Sequence, residues 1–290
     1  MGTLRFRPGI LVFMIPAFVL YGIFFVVPFF RTIYFSFFNW NGFSTPEFIG
    51  LGNYAQILDD ALLLVGFGRV ALWAFLAVLL KVGSALVLAS LLRIPMRGSR
   101  FFTASFFVPV VMSSAAIGLL FTLIYDLDAG LLNLLLRQIG LASWTRSWLG
   151  DEKTALLAVI AVPVWHTIGY FFVILLAAIQ GISRELFEAA EVDGAGRWMT
   201  FSRITVPLVW PVLQVCIVLA ITAALKSFDY VFVMTRGGPG TATHVPATYM
   251  YETIFVGLKF GYGTAIATVI FLVGLVTTIS FRRLTRPRDY

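Results

Sequence analysis

The sequence predicts an all-α polytopic membrane protein with six transmembrane helices, and three observations carry that prediction. Of its 290 residues 60% are hydrophobic and only 12% charged, and the mean hydropathy is +0.93. A soluble domain cannot bury that much apolar side chain. Six stretches reach the roughly 20 apolar residues that a spanning helix needs: Ile10–Phe30, Val70–Leu92, Phe101–Tyr125, Thr154–Ala178, Pro207–Leu225 and Gly263–Phe281. Between the fourth and fifth lies a long polar loop, 179–206, with a short helix of its own. The chain reads as one transmembrane domain over 1–290.

The first stretch is too long for a secretory signal, and no small-x-small cleavage pattern follows it. The loop after it, Arg31–Arg69, contains Asn39-Trp40-Asn41-Gly42 and Gly50-Leu51-Gly52-Asn53-Tyr54. These mix turn formers with aromatics that favour membrane interfaces. The remaining loops on that side are Asp126–Lys153 and Lys226–Tyr262; on the other side are Arg93–Arg100, Ile179–Val206 and the tail from Arg282.

Lys and Arg in short flanks set orientation. One side carries Arg5, Arg7, Arg93, Arg97, Arg100, Arg184, Arg197, Arg203, Arg282, Arg283, Arg286 and Arg288, twelve in all. The other carries the seven residues Arg31, Arg69, Arg137, Arg146, Lys153, Arg236 and Lys259. Both termini and the 179–206 loop are therefore expected in the cytoplasm. The net charge of +7 reads as a topology signal and an attraction to the anionic lipid bilayer. Nucleic-acid binding would need a basic face on a soluble domain, and the sequence offers none.

Within 179–206, Ser183 stands at an N-cap position. Arg184–Val192 are helix formers throughout, and Gly194 is placed to end the helix. Leu186, Phe187 and Ala190 are expected on one face, with Arg184, Glu188 and Glu191 on another. A helix this short is marginal alone in water, below the roughly 12–15 residues required, so it must pack on something. It either docks on a protein or lies on the inner leaflet. A leaflet helix favours Lys and Arg on its polar face, whereas here three Arg meet the four acids Glu185, Glu188, Glu191 and Asp193, which favours a protein. The span that follows is expected to begin at Pro207.

Glu188-Ala189-Ala190, Asp193-Gly194-Ala195 and Ile204-x-x-Pro207 resemble the loop of membrane subunits in binding-protein-dependent ABC importers. Val206 replaces the leucine usual there before the proline. The resemblance implies a coupling helix seated in a cleft of an ATPase subunit, with Glu188, Ala189, Ala190, Asp193, Gly194 and Ala195 as the ATPase-coupling residues. A second set covers nearly the whole chain: Pro16, Pro28, Ser36-Phe37, Gly50 to Tyr54, Phe228-Asp229, Thr235-x-Gly237-Gly238-Pro239, Thr243, Tyr249-x-Tyr251 and Phe260-Gly261-Tyr262-Gly263. It resembles carbohydrate importers of the maltose and glycerol-phosphate type, and more narrowly the first of their two permease subunits. That implies six core spans lining a pathway at a pseudo-twofold interface with a second permease. Two ATPase subunits would hold ATP and Mg, no cofactor would bind to this chain, and an extracytoplasmic binding protein would deliver the solute. The setting would be a prokaryotic inner or plasma membrane.

Polar groups inside spans are expensive and are functional candidates. Lys81 in the second span is a pathway candidate, or faces a wet cavity or a polar neighbour in the partner. His166, beside Trp165 and Tyr170, is a pathway candidate or a satisfied interior histidine. Gln214 and Thr222 either line the path or join helices, and Trp73, Trp165 and Phe228 either stack on a sugar ring or pack. Outside, Arg236-Gly237-Gly238-Pro239-Gly240 lacks the Gly-Lys-Ser/Thr ending of a P-loop. Thr235, Gly237, Gly238 and Pro239 are expected to form a tight turn there leading toward the last span, with contact to an external solute-binding protein, or a part in the outer gate, as the functional alternative. Cys216 is the single cysteine, and there is neither metal-ligand spacing nor a catalytic constellation, so the chain is expected to be non-catalytic. The competing class is a self-sufficient secondary transporter driven by an ion gradient, with Lys81 and His166 linked to protons; such proteins usually carry internal repeats, and none is convincing here.

Overall fold

The computed structural model describes residues 8–93 and 98–285. Arg5, Arg7, Arg97, Arg286 and Arg288 of the orientation set fall outside the described residues, as does the side chain of Arg100. The described chain is helical almost throughout: α1 (Phe13–Phe35), α2 (Gly52–Asp59), α3 (Ala61–Leu91), α4 (Phe101–Val111), α5 (Ser114–Ile124), α6 (Leu131–Gln138), α7 (Ala155–Gln180), α8 (Arg184–Val192), α9 (Arg197–Leu225), α10 (Asp229–Met234), α11 (Pro246–Phe255) and α12 (Phe260–Leu284). A two-stranded antiparallel hairpin, β1 (Phe38–Asn39) and β2 (Glu47–Phe48), pairs Phe38 with Phe48. Among the described residues five helices, α1, α3, α7, α9 and α12, are long and apolar enough to cross a membrane, or six when the bent pair of α4 and α5 is counted as one span.

The largest departures from the sequence expectation are at three spans. The third span is not one helix over 101–125. It bends by 98° between α4 and α5, where Val108–Val111 tighten to a 3₁₀ turn and Met112 and Ser113 are extended. Pro109 supplies no N–H for the ladder, and the chain exits. The second span begins at Ala61 and not at Val70, so Arg69 is a helix residue rather than part of an outer loop. Its guanidinium donates to the carbonyls of Thr241, at 2.6 Å, and His244, at 3.0 Å. A satisfied arginine need not end a helix. The fifth span begins at Arg197, ten residues before Pro207. A π turn over Phe201–Thr205 precedes the proline, and such a bulge absorbs the missing hydrogen bond. Trp198 and Phe201, expected in a loop, stack within this helix at 5.5 Å.

The chain divides into two compact units. One holds the residues up to Asp60 together with Met250–Phe271. Within it, Asn53 is buried and its amide donates to the carbonyls of Ser36 and Phe38, both at 2.9 Å, pinning α2 to the hairpin. The Ser36 and Tyr54 hydroxyls lie 2.6 Å apart, and Tyr262 donates to Asp60 at 2.7 Å. Helix α1 presents its apolar residues outward, with Phe13 at 87% exposure, as befits a lipid-facing span.

The other unit holds Ala61–Tyr249 and the chain from Leu272. Its core is built where α3, α7 and α9 pack, through Trp73, Val82, Ile160, Phe172, Leu175, Leu213 and the fully buried Cys216. Alanines at 77, 85 and 89 put a small-residue stripe on α3, which allows close helix packing in a membrane. Lys81 shares their four-residue interval and so is carried to the buried face.

Candidate functional site

Helix α8 forms over Arg184–Val192, the bounds that composition and capping suggest. Ser183 holds the N-cap position, but its side chain makes no cap bond. Phe187 and Ala190 are each 7% exposed. The Arg93 guanidinium lies 3.6 Å from the centre of the Phe187 ring, a cation–π contact that ties α8 to the end of α3. Leu186, expected beside them, is exposed. A nine-residue helix anchored by two positions buries only a narrow stripe, and Leu186 stands off it by one residue's turn. Glu188, Ala189, Glu191, Val192, Asp193 and Gly194 all face outward.

The helix stops as sequence suggests. Gly194 has φ +73, a left-handed conformation that glycine adopts without strain. Its N–H donates to Glu191 at 3.1 Å, and that of Ala195 donates to Ala190 at 2.8 Å, the paired bonds of a Schellman stop. Of the coupling candidates Glu188, Ala189, Asp193 and Gly194 are offered outward, Ala195 is half-buried, and Ala190 is turned inward with Phe187 as part of the attachment; the C-terminal carbonyls are already satisfied.

The pathway candidates separate into two groups. Lys81, Trp73 and Phe228 line one cavity of about 450 Å³, together with Tyr170, Phe171, Ser227, Asp229 and Tyr230. Lys81 is 4% exposed and stands in a π turn, Ala77–Val82, a distortion often found at functional positions. Its ammonium lies 5.5 Å from the centre of the Phe171 ring. His166 supports this wall from behind, with Nδ1 2.5 Å from the Tyr230 hydroxyl. Its buried Nε2 has no hydrogen-bond partner among the described residues. Asp229 accepts a hydrogen bond from Ser114 at 2.6 Å, at the first turn of α5.

The other candidates lie elsewhere. Trp165 is half exposed and packs on Phe121 at 5.4 Å. The Gln214 amide donates to the carbonyl of Thr285, as does the Trp210 indole at 3.2 Å, so both tie α9 to the end of α12. Thr222 bonds back to Val218 within its own helix, at 2.5 Å. Tyr170, Ser227 and Tyr230 line the cavity without having been singled out. A stacking aromatic cannot be told from a packing one in a chain that is 16% aromatic.

The turn over 235–243 closes on itself. Thr235 and Thr243 hydroxyls lie 2.7 Å apart, and Thr243 also donates to Gly238 at 2.8 Å. The N–H groups of Gly238 and Thr243 donate to Thr235 and Gly237 at 2.9 and 3.0 Å. Gly237 has φ +88, and a Cβ there would run into the His244 ring. The Gly238–Pro239 peptide is cis.

Residues 81–288 match the family described as Binding-protein-dependent transport system inner membrane component. The chain belongs to this family. It is 39% identical over 270 residues, 92% of each chain, to the probable ABC transporter permease protein YurN of Bacillus subtilis. It is 36% identical to the diacetylchitobiose uptake system permease protein NgcF of Streptomyces coelicolor, over 88% of this chain and 75% of that one. Its fold matches a chain of a bacterial alginate ABC transporter, solved in complex with an alginate pentasaccharide-bound periplasmic protein. The TM-score is 0.83 at 22% identity, over 96% and 93% of the two chains. The chain is therefore a permease subunit of an ABC importer, an inner-membrane component without a catalytic reaction of its own. The secondary-transporter alternative falls with that assignment.

Proposed function

We propose that this permease forms half of the pathway for a saccharide or related solute, and that α8 is the element through which ATPase subunits drive it. The observation that carries the reading is the division of α8. Phe187 and Ala190 are held from behind, while Glu188, Ala189, Glu191, Asp193 and Gly194 face outward. An element that transmits force needs a rigid attachment on one side and a free docking face on the other. Small Ala189 admits a partner's backbone closely, and the acids accept its hydrogen bonds.

The partners follow from that role. A second permease completes the pathway, two ATPase subunits hold ATP and Mg, and an extracytoplasmic protein delivers solute. The excess of arginine on the α8 side supports cytoplasmic termini. Relatives named for diacetylchitobiose and alginate support a saccharide. ATP binding draws the ATPases together, α8 moves with them, and the spans alternate the access of the cavity. Only a difference in binding between states can drive such a change.

Glu188→Ala tests this directly. The side chain is exposed, so the fold is expected to be unchanged. Solute-stimulated ATP hydrolysis by the reconstituted complex should fall about tenfold, the loss of one docking hydrogen bond worth roughly 1.4 kcal/mol. Intact stimulation and uptake would sink the coupling role. Purification from native membranes should also bring down a second permease and an ATPase; recovery of this chain alone contradicts the assembly.

A further inference from the structure

We propose that the cavity around Lys81 binds an anionic group on the transported solute, so that this permease carries an acidic saccharide, bearing a carboxylate or sulfonate, in preference to a neutral one. This rests on the importer reading above and narrows its substrate.

Lys81 is almost wholly withdrawn from solvent at 4% exposure. Its ammonium lies 5.5 Å from the centre of the Phe171 ring. A cation held this way within a membrane span is tolerated when something neutralises it. The cavity's one lining carboxylate is Asp229. It accepts from Ser114 at 2.6 Å, at a helix N-terminus that itself favours negative charge. Lys226, an exposed residue, is a second lysine of the lining. The lining thus holds two lysines and one carboxylate, a net positive charge that favours an anion.

The rest of the wall suits a sugar. Tyr170, 42% exposed, lines it with an aromatic ring beside Trp73 and Phe228, and the Ser227 and Tyr230 hydroxyls, bonded to Ala224 and His166, retain acceptor capacity. A volume of about 450 Å³ falls in the range of small-molecule sites. A solute hydroxyl would bring Lys81 a dipole, whereas a carboxylate brings a full opposite charge and a charge-assisted bond. The π turn over Ala77–Val82 carries the lysine into this lining.

The test uses the complete importer, with both permeases and both ATPases, in nanodiscs. Binding of digalacturonate and of its neutral counterpart digalactose is followed by saturation-transfer NMR. Digalacturonate should bind at least about tenfold more tightly, and Lys81→Met should remove about that factor for the acid alone. Lys81→Arg should retain the preference. Equal binding of the two probes by the wild type, or binding of neither, overturns the proposal without recourse to any variant. So does a Lys81→Met complex that keeps its preference for the acid, or one that loses both probes equally, as it would if Lys81 paired with the partner permease. Failure of the ATPases to co-purify would sink the importer reading itself. An assembled, ATP-hydrolysing complex that prefers digalactose sinks only this inference.

Discussion

Two glycine turns in the same unit make opposite use of the same backbone conformation. Gly194 and Gly237 both have positive φ, +73 and +88. A Cβ added at Gly194 meets nothing within 4 Å, whereas one at Gly237 strikes the His244 ring. Around Gly237 the polar atoms of Thr235, Thr243 and Gly238 consume one another, and Thr243 is fully buried. Around Gly194 the backbone bonds close within the helix, while Glu188, Glu191 and Asp193 are left facing out. A turn that satisfies itself is architecture. A turn that stops a helix cleanly and leaves its acids unspent is a surface for another molecule.

Substitutions can break that contrast. Gly237→Ala should do the most damage to the fold, because left-handed strain of roughly 1–2 kcal/mol adds to about 1–3 kcal/mol of overpacking against His244. A large fall in melting temperature, followed by tryptophan fluorescence in detergent, is the expected result; an unchanged melt would mean the turn is not a structural element. Gly194→Ala meets the strain alone, about 1 kcal/mol. It should shift the melt slightly while lowering solute-stimulated ATP hydrolysis by more than that strain accounts for. If the two readouts fall together, the turns do not differ in kind. Arg93→Ala should have the smallest effect on the melt, removing a cation–π contact worth about 0.5–1 kcal/mol. It sharpens the comparison by loosening α8 from behind. Faster hydrogen exchange across α8, with exchange in the turn over 235–243 unchanged, is the outcome to look for.

What sequence could reveal divides along the same line. Helix α8 was legible because its information is local: a run of helix formers, a stop glycine and unpaired acids within a dozen residues. The spans were legible as existing, since their length and apolarity are set by the bilayer. Their ends and breaks were not. Arg69 reads as a boundary until Thr241 and His244, some 170 residues away, provide its acceptors. Gln214 reads as a pathway group until Thr285 claims its amide. Pro109 breaks the third span whereas Pro163 and Pro211 sit inside continuous helices, and nothing local separates these cases; the π turn at Lys81 depends on how neighbours pack. Lys81, Trp73 and Phe228 could each be suspected singly, but only the fold puts them on one wall.

The lone thiol has a use of its own. Cys216 is fully buried between α3 and α9, out of reach of a water-soluble maleimide while the fold holds. A cysteine introduced at Val192, which is 88% exposed, would then be the only reactive handle on this subunit. A spin label or fluorophore there needs no cysteine-free background, and it would report the distance travelled by α8 through a cycle of nucleotide binding and release.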